Sequence, residues 1–333
     1  MAQLTVDELL IDPPAVGTVE RNHPLAPLTK YRLGGAAEWF VRPRDSGQLR
    51  EAMIRSREAS LPFRVLGGGA NLLVVDDGVD GVVVRLDAPA FTGVEWIPDS
   101  PGRGGAGRDE AVLVRVGAGV DMAKLTLDSV RRGLTGLECM AGIPGSVGGI
   151  IRMNAGGRWG EISTVVQDVS VLEPDGGLRT LARDEVGFSY RRTSLGGAVA
   201  CGATLRLTPG DPDKVMERYR EIWAAKQAAQ PLAAHSAGCV FKNPPGDRAG
   251  RLIEAAGLKD RAIGTARVSP DHANFIVAGD GGRARDVLDL ISLVRRTVAD
   301  RFSVELELEI EVWRRQGEAC SSPGRVPCGN LHA

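Results

Sequence analysis

The sequence predicts a mixed α and β protein built as two units, and three observations carry that prediction. The chain of 333 residues exceeds what one ordinary core supports and falls short of three. Along most of its length, short apolar stretches alternate with stretches of helical spacing. Composition then shifts at Pro209-Gly210-Asp211-Pro212, which separates a strand-rich body from a helix-bearing second unit.

Taken in order, the N-terminal stretch MAQLTVDELLIDPPAVG has no basic region followed by an apolar run, so nothing in it marks secretion, and residues 1–21 stand apart as an N-terminal segment. AEWFVRP reads as a strand, Ser46 to Glu58 as a helix, and FRVLGGG, NLLVVDDG and GVVVRL as three further strands. VEWI and AVLVRV flank residues 98–110, PDSPGRGGAGRDE, which hold no periodic apolar positions and read as a mobile excursion. A helix from about Met122 to Arg132 ends at Gly133, and strands resume at VSVL, LRTLA and VACGATLRL. Beyond the boundary, helical periodicity runs from Lys214 to Gln230 and stops before Pro231. A helix from Arg248 to Ala256, a HANFIVA strand and a helix from about Arg283 to Arg301 follow, the last with Val287, Leu290, Ile291, Val294 and Val298 on one face. VELELEIEVW, residues 304–313, alternates apolar residues with Glu305, Glu307, Glu309 and Glu311, the pattern of one strand with a buried and an acidic face. Residues 316–333 are polar and rich in Gly and Pro, as in a disordered tail.

Composition excludes several classes. The 41 Lys and Arg balance 42 Asp and Glu, so no overall field draws nucleic acid, and an anionic ligand has to be held locally. No apolar run reaches the roughly 18 residues of a membrane span. Cys139, Cys201, Cys239, Cys320 and Cys328 are odd in number and lack metal-type spacing, which fits free thiols in a cytoplasmic protein with no metal. Glycine is abundant, at 43 residues, while aromatics make up 5%, so close backbone approach to a ligand is to be sought at the glycines.

Two glycine loops answer that description. Leu66-Gly67-Gly68-Gly69-Ala70-Asn71-Leu72 joins two strands, where backbone N–H groups can converge on a pyrophosphate; a plain glycine turn explains the same residues. Gly142-Ile143-Pro144-Gly145-Ser146-Val147-Gly148-Gly149 is the second, and together the two favour an elongated dinucleotide. Phe188-Ser189-Tyr190-Arg191-Arg192 sets adjacent arginines beside an aromatic, suited to a carboxylate, although solvated surface arginines look the same. Gly238-Cys239-Val240-Phe241-Lys242-Asn243-Pro244 brings a thiol, an amine and an amide together; a buried structural cysteine is the bland alternative. His235 and His272 have no partners at metal spacing.

LTKYRLGGAAEWFVRP, LGGGANLLV, GLTGLECMAGIPGSVGG with NAGG after it, FSYRRTSL, GCVFKNP, AGRLIEAAGLKD, VSPDHANFIV and FSVELELEIEV occur in the order seen in UDP-N-acetylenolpyruvoylglucosamine reductases. The resemblance spans residues 22–313 and points to the shorter subtype, since no tyrosine-bearing insertion is visible in the second unit. It implies an α+β fold: a two-subdomain FAD-binding unit of the vanillyl-alcohol-oxidase type (about 22–88 and 89–209) and a C-terminal α+β substrate-binding domain (210–315). It also implies a cytoplasmic, monomeric enzyme with non-covalent FAD. Such enzymes use NADPH to reduce UDP-N-acetylglucosamine enolpyruvate to UDP-N-acetylmuramate in peptidoglycan precursor synthesis. By motif, the resemblance makes Arg191, Cys239 and Glu309 catalytic, and Tyr190, Lys242, Asn243, Lys259, His272 and Asn274 substrate-binding. The two loops, with Asn154, become cofactor-binding. Cys239 departs from the serine common at that position, and Ala278 stands where asparagine is usual.

The chemistry suits those residues. Hydride addition to the enol-ether methylene leaves carbanion character next to a carboxylate, which calls for a cation and an acid. Arg191 with Glu309 would serve as the first and Cys239 as the second. A free thiol, with a pKa of about 8.5, is the stronger acid than a serine hydroxyl and the more easily ionised. Period alone does not choose among the four glutamates; the resemblance points to Glu309. The competing readings are a flavin oxidoreductase of similar fold with another substrate, and a non-catalytic nucleotide-binding protein. The competent groups at 191, 239 and 309 argue against both.

Overall fold

The structure, a computed structural model, describes residues 13–98 and 111–316. The expectations for residues 1–12, most of the 98–110 excursion and the tail from 317 onward lie outside the described residues.

The first unit is organised around a sheet in the order β1-β2-β5-β3, from Thr18–Pro24 (β1), Ala36–Arg42 (β2), Phe63–Leu66 (β3) and Val79–Arg85 (β5), with Leu72–Val74 (β4) outside it. β1 begins within the stretch set apart as N-terminal and pairs antiparallel with β2 along its length. β2, β5 and β3 are parallel. The sequence of β5 shows why it is central: Val79, Val82, Val83 and Val84 are all fully buried, as a strand covered on both faces requires. The Ser46–Glu58 helix covers this sheet and begins where the Asp45 carboxylate accepts the Gln48 N–H.

The second layer is antiparallel, built from Val94–Pro98 (β6), Val112–Gly117 (β7), Leu134–Thr135 (β8), Val166–Leu172 (β11), Leu178–Ala182 (β12) and Val199–Pro209 (β13). Its order is β12-β11-β13-β7-β6, with β8 also on β13. Between β8 and β11, Gly156–Gly157 (β9) and Gly160–Glu161 (β10) form a small hairpin.

Beyond Asp211, whose carboxylate accepts the Asp213 and Lys214 N–H groups, the Pro212–Ala229 helix opens the C-terminal unit. The Ala249–Ala255 helix follows, then a sheet of Ala262–Ile263 (β14), Ala266–Val268 (β15) and Ile276–Ala278 (β16), and the Ala284–Phe302 helix. On that last helix Val287, Leu290, Ile291, Val294 and Val298 are all fully buried, the face its periodicity predicts.

The units are interlocked. Tyr31, Leu33 and Leu73 of the first belong to the core of the C-terminal unit, and the Tyr31 hydroxyl donates to the Ile276 carbonyl at 3.0 Å. The Asp76 carboxylate accepts the Ala284 and Arg285 N–H groups at 2.8 and 3.0 Å, capping the Ala284–Phe302 helix from the other unit.

One element differs from its expectation. The ladder in VELELEIEVW is confined to Glu311–Trp313 (β17), which pairs parallel with β4. The preceding residues turn their backbone to the GCVFKNP loop instead: the Lys242 N–H donates to the Glu307 carbonyl at 2.9 Å, and the Glu309 N–H to the Val240 carbonyl at 2.8 Å. A segment shared between two partners cannot keep one continuous ladder. The alternation survives in burial, since Leu306 and Ile310 are buried while Glu305, Glu307 and Glu311 are exposed. Among the described residues no helix is long and apolar enough to cross a membrane.

Candidate active site

The two glycine loops touch. A Cβ on Gly67 would lie 2.4 Å from Ser146 Oγ, and one on Gly68 would lie 2.7 Å from the Gly145 Cα. The absent side chains therefore first let one loop lie against the other. The Gly68 and Gly69 amides donate no hydrogen bond to any described residue, so they remain as donors for an anion. Beside Gly68 opens a cavity of about 380 Å³, lined also by Thr29, Lys30, Arg32, Arg85 and His235. The Gly68 backbone and three cationic side chains lining the same cavity fit an elongated, anionic dinucleotide such as FAD. Leu66 and Leu72 bury their side chains in the core of the first unit, so they offer a ligand only backbone.

Asn154 and Asn71 both make side-chain hydrogen bonds within the protein. Asn154 is fully buried; its amide donates to the Ser189 carbonyl at 3.0 Å and accepts the Ser163 N–H at 3.3 Å. It braces the turn that carries Arg191 rather than offering its side chain to a cofactor. Asn71 donates to the Glu309 carbonyl at 3.0 Å, tying the first glycine loop to the catalytic candidate.

Arg191, Cys239 and Glu309 are brought together from three elements. The Ser189–Arg192 turn places Arg191 at φ 56°, a left-handed conformation that only a firmly held turn maintains in a non-glycine residue. Arg191 Nε donates to Glu309 Oε1 at 2.7 Å and its guanidinium also donates to the Gly156 carbonyl at 2.6 Å. Both side chains are largely buried, at 15% and 16% exposure, whereas Glu307 is 72% exposed. Of the four glutamates, Glu309 is the one that is both largely buried and paired with Arg191. Burial raises the Glu309 carboxyl above its ordinary range, against the opposing pull of Arg191 and, more weakly, Lys242.

Cys239 faces this pair. Its thiol is pushed up to about 12, first by burial and then by the Glu309 charge, while Arg191 and a hydrogen bond from Asn274 oppose the rise. The expected easy ionisation is thereby corrected: the site keeps the thiol protonated across the ordinary pH range. The other two free thiols among the described residues, Cys139 and Cys201, are raised to about 11, chiefly by burial.

The substrate-binding candidates divide. Tyr190 is half exposed, with the Arg191 guanidinium 5.1 Å from its ring centre, and its hydroxyl lies 3.5 Å from the Asn243 N–H. Lys242 Nζ pairs with Glu307 at 2.5 Å at the edge of the same site. Asn243 turns its side-chain oxygen to the Ala249 N–H at the start of a helix. Lys259 pairs with Glu254, and both charges act on His272, whose imidazole is held below its ordinary pKa mainly by burial. Asn274 is buried, and both ends of its amide are bonded to the Phe241 backbone. Ala278 is buried too, with its N–H on the His235 carbonyl.

Sequence reasoning missed Lys226. It lies on the buried face of the Pro212–Ala229 helix with Val215 and Ile222, and its ammonium donates to the Ala141 carbonyl at 2.5 Å and the Cys139 carbonyl at 3.3 Å. Burial lowers it to about 8, with Arg191 close enough to add repulsion. A lysine in line with apolar positions four and eleven residues before it was the available signal.

Several known proteins are similar to this chain. Residues 230–313 match the family described as UDP-N-acetylenolpyruvoylglucosamine reductase, C-terminal domain, and residues 37–182 match the FAD binding domain family. The chain is 41% identical over 299 residues to UDP-N-acetylenolpyruvoylglucosamine reductase 2 of Symbiobacterium thermophilum, covering 89% of this chain and 92% of that one. It is 37% identical over 308 residues to the UDP-N-acetylenolpyruvoylglucosamine reductase of Anoxybacillus flavithermus, covering 90% and 96%. The crystal structure of UDP-N-acetylenolpyruvylglucosamine reductase from Thermus caldophilus superposes with a TM-score of 0.74 at 37% identity, over 89% of this chain and 99% of that one.

Proposed function

The chain belongs to the UDP-N-acetylenolpyruvoylglucosamine reductase family, and from that premise we propose that it reduces the enolpyruvyl ether of UDP-N-acetylglucosamine to the lactyl ether of UDP-N-acetylmuramate, with FAD bound and NADPH as reductant. The observation that carries this reading is the buried Arg191–Glu309 pair, held next to the loop that carries Cys239 by the bond from the Glu309 N–H to the Val240 carbonyl.

The Gly68 and Gly69 amides with Lys30, Arg32 and Arg85 would hold the diphosphate region of FAD. FAD held there would supply the hydride chemistry, with NADPH as the source of electrons and the methylene carbon of the enol ether as the acceptor. The chain's own groups then manage charge and proton. Arg191 is fixed through Nε and one terminal nitrogen by Glu309 and the Gly156 carbonyl, so it meets the developing enolate without reorganising. Glu309 keeps that guanidinium in place and limits the positive charge left when no substrate is bound. Cys239 donates its thiol proton to the carbon next to the carboxylate; the S–H bond breaks, the new C–H bond takes the enolate electron pair, and sulfur keeps its own pair as thiolate. Tyr190, Lys242 and Asn243 line the entrance for the sugar nucleotide.

The test separates the half-reactions. Purified protein should be yellow and oxidise NADPH only when the enolpyruvyl substrate is added. Cys239→Ala should leave flavin reduction by NADPH intact in stopped-flow absorbance while reoxidation by substrate falls to a small residual rate. Reoxidation at the parental rate would make Cys239 structural and remove it from the mechanism.

A further inference from the structure

Cys239 lies on a loop that belongs to no sheet, yet a proton donor has to be aimed. On one side the loop leans on the closing segment, through the Lys242–Glu307 and Glu309–Val240 backbone bonds. On the other side no strand is available, and Asn274 takes its place. Its carbonyl accepts the Val240 N–H at 2.8 Å, its side-chain oxygen accepts the Phe241 N–H at 3.0 Å, and its side-chain nitrogen donates to the Phe241 carbonyl at 2.7 Å. Cys239 itself bridges to Phe275, the next residue. At 3% exposure, Asn274 has its amide aligned by these bonds.

A primary amide has two N–H groups, and Phe241 uses one. The amide also lies close enough to Cys239 to counteract the burial of the thiol. We propose that Asn274 is a positioning residue for proton transfer: it clamps the Val240-Phe241 backbone and occupies a lone pair of Cys239 Sγ, so that the S–H bond is left pointing at the reacting carbon. The same N–H steadies the sulfur as the proton leaves, because the thiolate is a better acceptor than the thiol. This inference rests on Cys239 being the proton donor.

The experiment uses full-length enzyme with bound flavin and two variants, each made in the parent and in Cys239→Ala. Asn274→Ala removes the clamp. Asn274→Asp keeps the size and the acceptor for the Phe241 N–H but can no longer donate to sulfur. In single-turnover reoxidation at saturating substrate, each variant should be slower by about 10- to 100-fold, the range seen for groups that orient a reactive ligand. Half-saturating substrate concentration and flavin reduction by NADPH should stay within about twofold of the parent. In Cys239→Ala, the added Asn274 change should alter the residual rate by less than about twofold, since no proton donor remains to be aimed. Equal slowing in both backgrounds overturns the proposal and makes Asn274 a substrate contact or a fold element. Parental rates in both variants overturn it as well. If Asn274→Ala fails to fold, Asn274→Asp is read by the same ratios. Should Cys239→Ala alone reoxidise normally, the reading of Cys239 has failed, a result distinct from normal Asn274 variants beside an inactive Cys239→Ala.

Discussion

Replacing Glu309 by Gln tests the active site most directly. The substitution keeps an oxygen able to accept from Arg191 Nε, now 2.7 Å from the carboxylate, and removes only the charge. Arg191 retains its second anchor, the Gly156 carbonyl at 2.6 Å, in full, while its bond to the neutral amide loses charge assistance. Loss of one preorganised group at a developing oxyanion costs about 2.7–4 kcal/mol, or 10²–10³ in rate. With one anchor kept, the expected effect on flavin reoxidation by substrate is near the lower limit, about 100-fold, with flavin reduction by NADPH unchanged. Stability should move differently. Burial, the largest influence on the Glu309 carboxyl, raises it above the unfolded value of 4.5. The folded state therefore binds this proton more tightly, and the resulting stabilisation is fully present below 4.5 and lost as pH rises through the folded value. At neutral pH the ionised carboxylate is a net cost, which Gln removes. The melting temperature of Glu309→Gln relative to the parent should thus climb between pH 4 and pH 8. Glu307→Gln is the control, because its exposed pair with Lys242 is worth about 1 kcal/mol or less. Stopped-flow reoxidation and thermal melts of Gln variants at 305, 307, 309 and 311 decide the matter. A near-parental Glu309→Gln beside an inactive Glu307→Gln or Glu311→Gln refutes the assignment.

Three further outcomes are expected. With the Cys239 thiol at about 12, the parent and Cys239→Ser should share one alkaline limb of activity up to about pH 10, and an earlier fall in the parent would show that burial does not hold the proton. Lys226 drops from 10.5 to about 8 on folding, so below pH 8 its burial costs on the order of 3 kcal/mol, and the parent should gain stability in denaturant melts between pH 8 and 10.5; Lys226→Met should lack that gain, and identical pH profiles would refute the assignment. Asp76→Ala should lose about 1 kcal/mol as the Ala284–Phe302 helix loses its cap, with Asp76→Asn near the parent, and equal melting of all three would show that the cap contributes nothing.

Much of the fold was legible because its causes are local. The Ser46–Glu58 helix has its start written next to it, with Asp45 accepting there, and the Val-rich run of β5 announces a strand buried on both faces. The glycine loops were likewise visible, though their physical reason was half hidden: Gly67 and Gly68 are small because Ser146 and Gly145 occupy the space a side chain would need. The family resemblance placed Arg191, Cys239 and Glu309, but period two could not distinguish one glutamate from the next.

What only the tertiary structure decided are contacts between residues far apart in the chain. Arg191 meets Glu309 across 118 positions, and Asp76 caps a helix 208 positions later. Asn274 bonds the backbone of a loop 33 positions before it, and residues 304–310 give up their ladder to hold that same loop. Hydrophobic period and capping chemistry specify how a segment folds on itself, because they arise from neighbours within a turn or a pleat. They carry no record of which distant segment will supply a missing hydrogen-bond partner. That choice is made when the two units close on each other and each buried polar group has to be satisfied by whatever the fold brings within about 3 Å.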